Sequence, residues 1–289
     1  MIIELPPFLK SLQKPWLVGI EEEIQRAVRL GADFDNRNGK YCICVYASGG
    51  GGTIIGRRID KKRYLQFKKV LDVEFLQENG SNRESLDEFL SNFDISLEIG
   101  EKDYEREFHG RSLVHSEAYG LTQKTYTLLP EHHLTNHHLG VLKLGGWGNG
   151  AAKYGEYDDP TVHLFACTTS GARRNFLALL LHETGHSFKA YLEDKKPNEH
   201  KLLERAFKHI QANKDTTEEF AADFLYGKRS RFDYYTSSFG EFVPELYFLY
   251  ITHGKLCKEF ISTLSGNIKS AWDEAYEIMK ASFNGIEYV

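Results

Sequence analysis

The stretch LLLHETGHSF, residues 179–188, sets two histidines and a glutamate into an otherwise apolar run. Leu177, Leu179, Leu180, Leu181 and Phe188 surround them, and Thr169 and Ser170 offer caps upstream. The pattern predicts a helix from about Arg173 to Leu192. On a helix, positions four apart share one face, about one turn apart. His182 and His186 can therefore aim two imidazoles at a single metal ion, at a separation zinc accepts. Glu183 projects to the side of that pair, where a carboxylate reaches a water held at the metal without ligating the ion. There it would take the proton from water attacking a carbonyl and pass it to the leaving amine. Gly185 weakens the helix but removes a side chain where another backbone can pack closely. The alternative, a buried helix with two incidental histidines, leaves unpaired imidazoles in an apolar segment, which is costly.

Downstream of this helix lie three more helical runs, HKLLERAFKHIQANK (200–214), TTEEFAADFLYG (216–227) and GEFVPELYFLYITHG (240–254), and a last helix over 267–283. Upstream come LPEHHLTNHHLG (129–140), the Gly-rich KLGGWGNGAAKYGEYDDP (143–160) and the strand-like TVHLFAC (161–167). The N-terminal part reads differently. EEEIQRAVRLG (21–31) is an amphipathic helix stopped by Gly31. YCICVYA (41–47) and TIIGRRI (53–59) are β-rich runs around SGGGG (48–52), the pattern of a hairpin with a flexible tip. That glycine run is no phosphate loop, because no Gly-Lys-Ser/Thr follows it. SLDEFLSNF (85–93) and YLQFKKVLDVEFL (64–76) add helix or strand. The character changes at the charged EKDYEREFHG (101–110). These runs predict an α+β chain: a mixed α/β region over 1–110, with a possible substrate-positioning role, then a mainly helical domain over 111–289.

With 289 residues, 41% hydrophobic and 27% charged, the composition is that of an ordinary globular protein with a sizeable core. The formal net charge of −5 argues against a nucleic-acid binder, which shows a basic excess or stripe. Cys42, Cys44, Cys167 and Cys257 fit no zinc-finger spacing and are too few for a disulfide framework, which favours a reducing compartment. Cys42 and Cys44 point the same way on a strand and read as packing residues. The N-terminal MIIELPPFLKSLQKPWLVG lacks the basic start and continuous apolar core of a signal peptide. No apolar run approaches the ~18 residues of a membrane span. The expected location is cytoplasmic, or that of a secreted effector without a classical signal peptide.

HETGH, residues 182–186, resembles the active helix of the HExxH zincin metallopeptidases. The metzincin form is excluded, because Lys189 and Leu192 stand where that pattern needs glycine and histidine. The resemblance then implies the gluzincin arrangement, in which a glutamate on a later helix is the third ligand of Zn2+. Two candidates compete. YYTSSFGEFVPELYF (234–248) is similar to the third-ligand region of the anthrax lethal factor, Pro-Pro endopeptidase and Mlc titration factor group, matching at Tyr234, Glu241, Phe242 and Glu245. By that resemblance Glu241 binds zinc and Tyr234 stabilises the oxyanion by donating a hydrogen bond. Pro244 departs from the usual small residue there, and is tolerable in a helix's first turn. EEFAADF (218–224) offers Glu219 and Asp223 in an ExxxD pattern like that of thermolysin-type gluzincins. It has Ala212 where the tyrosine would stand, and fits an amphipathic helix with a solvated acidic face equally well. The tyrosine match favours Glu241.

Weaker constellations remain. His132, His133, His137 and His138 form a second candidate metal cluster, although such histidines in a polar loop are usually solvated. Gly146, Trp147 and Gly148 read as a substrate flap or a plain connector. TVHLFAC is expected either as an edge strand holding an extended substrate or as an interior strand. The resemblance implies a zinc metalloendopeptidase acting on protein or peptide substrates, with no nucleic-acid partner and no membrane span. The alternative is a non-catalytic zincin-like module that binds a partner protein through the same cleft; the retained Glu183 argues against it.

Overall fold

A short strand β1 (Ile2–Ile3) and a one-turn helix α1 (Pro7–Lys10) precede three strands, β2 (Asp33–Arg37), β3 (Lys40–Tyr46) and β4 (Ile54–Arg58). Next come α2 (Arg83–Ser91), β5 (Ser96–Ile99), α3 (His115–Tyr126), α4 (Glu131–Leu134), β6 (Val141–Leu144), β7 (Ala152–Tyr154) and β8 (Thr161–Leu164). Four long helices follow, α5 (Ala172–Lys195), α6 (Pro197–Ala212), α7 (Phe239–Thr263) and α8 (Gly266–Ser282), and a last strand β9 (Glu287–Tyr288). This computed structural model describes residues 1–10, 33–37, 40–46, 54–58, 81–100, 115–145, 152–155, 160–164, 172–214 and 236–289. The fold is α+β, with a mainly helical C-terminal part. Among the described residues no helix is long and apolar enough to cross a membrane.

The chain divides into two compact units, one of Trp16–Glu183 and one of Met1–Pro15 with Thr184–Val289. The division falls inside α5, a single helix of 24 residues.

In the Trp16–Glu183 unit, β3 and β4 form the expected antiparallel hairpin, with register from Cys42↔Arg58 to Tyr46↔Ile54. Strand β2, absent from the sequence reading, pairs with the other side of β3. The helix expected over 21–31, the SGGGG tip and YLQFKKVLDVEFL lie outside the described residues. The second sheet runs β5-β6-β8-β7, its first three strands parallel and β7 antiparallel. Leu142, Leu144, Val162 and Leu164 are buried and alternate with half-exposed residues, the period-two pattern of a sheet packed on one face. Strand β8 is interior, held by β6 on one side and β7 on the other, which corrects the edge-strand alternative for TVHLFAC. The cause is β7: the Gly-rich segment 143–160 looks like loop, yet its three residues Ala152–Tyr154 pair with β8 and take the edge position.

In the other unit, α6 packs on α8, and α7 packs on both. Its core is aromatic. The rings of Phe188, Tyr247, Tyr250, Phe283 and Tyr288 lie against one another, with centroids between 4.8 and 6.2 Å apart, within the range of favourable offset and edge-on packing. Strands β1 and β9 pair in parallel at its margin. Helix α7 bends at His253, whose φ of −127° and ψ of 19° are non-helical. The hydroxyl of Thr252 donates back to the carbonyl of Phe248 at 2.7 Å, a bond that bends helices.

Candidate metal centre

Helix α5 carries three of the expected site residues. Phe176, Leu177, Leu180, Leu181, Phe188 and Leu192 form one broad apolar face that is essentially inaccessible, and Thr184 and Ser187 are buried with it, so the middle of the helix is enclosed. Within that setting His182 and Glu183 are 8% and 6% exposed. An imidazole and a carboxylate are costly to bury without a task or a partner.

The third donor comes from α7. Its first turn is capped by Ser238, whose Oγ accepts the N–H of Glu241 at 3.2 Å. Ser238 and Glu241 have the spacing of a capping box, yet one carboxylate oxygen of Glu241, Oε2, lies 3.9 Å from Nε2 of His186. This approach depends on how α5 and α7 cross. A Cβ on Gly185 would meet Cα of Pro244 at 2.6 Å and Cβ of Tyr247 at 3.1 Å, so the two backbones touch at that point. The close packing expected of Gly185 is therefore present. Pro244, however, is the sixth residue of α7 rather than part of its first turn. It removes the N–H that Gly240's carbonyl would otherwise accept.

The donor atoms of His182, His186 and Glu241 all lie within 4.8 Å of one another. Zinc bonds of about 2.0–2.2 Å in a tetrahedron set neighbouring donors about 3.4 Å apart, so small side-chain rotations close the set. Two imidazoles and a carboxylate also suit zinc chemically, and they would fill three of four positions. His186 and Glu241 keep 19% and 25% side-chain exposure, so the site is buried toward His182 and open toward these two. The residues fit a zinc ion.

Tyr234, Glu219 and Asp223 lie outside the described residues, as do Gly146, Trp147 and Gly148. The four-histidine segment is a polar loop only in its second half, where His137 is exposed in a turn. His132 and His133 belong to α4, His133 is 1% exposed, and the segment is knitted by Asn136, which donates to the His133 carbonyl and accepts from the His138 amide. Among the described residues, no group of three metal-ligating side chains includes His132 or His133. Burial, and next the charge of Glu245, push the thiol of Cys257 up to about 12, so it is no nucleophile near neutrality.

Two further residues hold the site's frame. Ser238 had a readable signal, the Ser-x-x-Glu spacing. Gln211, at the end of α6, donates from its amide to the carbonyls of Thr236 at 2.8 Å and Ser237 at 3.3 Å, and no local pattern announces it. No family model, curated protein or solved structure matches this chain.

Proposed function

We propose that the chain is a zinc-dependent endopeptidase of gluzincin type, with His182, His186 and Glu241 as metal ligands. The observation that carries this reading is the convergence of those three donors beside the buried Glu183. Zinc held there supplies Lewis acidity, lowering the pKa of water and polarising a carbonyl. Glu183 accepts the proton of the attacking water and delivers it to the leaving amine, a role that requires a carboxylate beside the ligands rather than among them. Tyr234, seven residues before Glu241, donates a hydrogen bond to the developing oxyanion. A protein or peptide is the substrate.

The test is metal analysis of the purified full chain, followed by mass spectrometry of a proteome-derived peptide library incubated with it. A single zinc per chain and cleavage that chelators abolish are expected, with recovery on adding zinc. A protein that carries no divalent metal sinks the reading. One that carries zinc and cuts nothing leaves the non-catalytic binding module in its place.

A further inference from the structure

We infer that Gln211 is a positioning residue for Glu241. The side chain of Gln211 faces two backbone carbonyls, those of Thr236 and Ser237. Both are acceptors, so the amide must present its NH2 group to them, and the orientation follows from chemistry alone. Thr236 is 3% exposed, so water is poorly placed to replace the amide there. The next residue, Ser238, caps α7 and receives the N–H of both Glu241, at its Oγ, and Phe242, at its carbonyl 3.0 Å away. A continuous series of contacts thus runs from α6 through Gln211, Thr236 and Ser237 to the cap, and from the cap to the backbone of Glu241. It fixes the point at which α7 begins, and with it the height at which Glu241 faces His186.

A carboxylate on the first turn of a helix moves with the fraying of that turn. Without a tether the turn could start one residue later, which would carry Oε2 of Glu241 away from His186. Gln211 does not touch the metal position; it acts through Thr236, Ser237 and Ser238. The role presupposes Glu241 as a ligand. Outer partners of this kind typically alter metal affinity by about 10- to 100-fold when replaced.

The experiment compares the full-length parent with Gln211→Glu, Gln211→Ala and Gln211→Lys. Gln211→Glu keeps the shape but turns a carboxylate oxygen toward the carbonyls; Gln211→Lys keeps an N–H donor of similar reach. Zinc affinity is read by competition with a chromophoric chelator, and amide exchange at Glu241 and Phe242 is read on the metal-free protein. Gln211→Glu and Gln211→Ala are expected to bind zinc about 10- to 100-fold more weakly, with faster exchange at those two amides, only a small fall in the unfolding midpoint and recovery in Gln211→Lys. Should Gln211→Glu not fold, Gln211→Ala carries both readouts. Parental zinc affinity and parental exchange in the variants overturn the inference. So does a loss of zinc that follows a loss of overall stability and is not recovered in Gln211→Lys. A parent that binds no zinc sinks the metal centre itself, while the exchange measurement still decides whether Gln211 holds the start of α7.

Discussion

Gly185 of α5 and Pro244 of α7 meet backbone to backbone: a Cβ at Gly185 would fall 2.6 Å from Cα and 3.0 Å from the carbonyl oxygen of Pro244. In an exposed helix Gly→Ala would stabilise by about 1 kcal/mol. Here the new methyl overlaps main-chain atoms that cannot swing aside, so the helices must separate. Gly185→Ala is expected to destabilise the protein by about 1–3 kcal/mol, the usual cost of overpacking. It should also weaken zinc binding, because the crossing sets the gap between His186 and Glu241. Denaturant unfolding and chelator competition check both effects; a variant as stable as the parent, with parental zinc affinity, would show that the crossing is not what holds the ligands.

Glu183→Gln tests the proposed chemistry apart from the metal. The substitution is nearly isosteric and leaves His182, His186 and Glu241 in place, so zinc content and the unfolding midpoint should stay near parental. Glu183 is 6% exposed, and the neutral amide removes a charge that is costly to bury. Peptide hydrolysis should fall by about 10²- to 10⁴-fold, the range expected when a general base is lost. Activity within tenfold of the parent would remove Glu183 from the mechanism.

The long helices were legible because their apolar periodicity is strong. Helix α5 extends little beyond the expected Arg173–Leu192, and α8 lies within one residue of 267–283 at each end. The sequence reading stops α7 at Gly254, next to the break at His253, and a second helical stretch continues nine residues beyond it. Gly254 also serves packing: a Cβ there would meet the Tyr288 carbonyl oxygen at 2.9 Å, so its missing side chain admits the C-terminal strand. The short strand β7 was hidden because glycines on both sides mask three residues whose pairing is decided by β8. At the site, the HETGH spacing is local and readable from the helix period. The partnership of Gln211 with Thr236 spans 25 residues and depends on packing, so no window of sequence contains it.

Glu287 supplies a pH dependence away from the site. Hydrogen bonds from Lys258 and, at 2.9 Å, from Lys280 hold its carboxyl down from 4.5 to about 2, and tie β9 to α7 and α8. Because the folded value is depressed, the stabilisation is complete above about 4.5 and is lost as the pH falls toward 2. The Glu287 side chain keeps 24% exposure and the Lys258 and Lys280 side chains 47% and 34%, so solvent screening keeps the contribution small. Unfolding measured across this range should show the parent exceeding Glu287→Gln by a constant amount at neutral pH, and the difference should shrink on acidification. A difference that grows below pH 4.5 would contradict the ion-pair assignment.

The two glutamates and the tyrosine can be separated by metal content and turnover measured together. A third zinc ligand contributes negative charge and leaves the fourth position open, so its removal weakens metal binding far more than removal of a solvated carboxylate. Glu241→Ala is therefore expected to lose zinc, whereas Glu219→Ala should keep it along with most activity. His182→Ala and His186→Ala should behave as Glu241→Ala does, since each takes away one of the three converging donors. Tyr234→Phe should keep zinc yet turn over about 10²- to 10³-fold more slowly, the effect of losing one oxyanion donor. Zinc lost with Glu219→Ala and kept with Glu241→Ala would transfer the ligand to EEFAADF. In that case the 3.9 Å approach of Glu241 to His186 is an ion pair at a helix crossing, and Tyr234 has no oxyanion to meet.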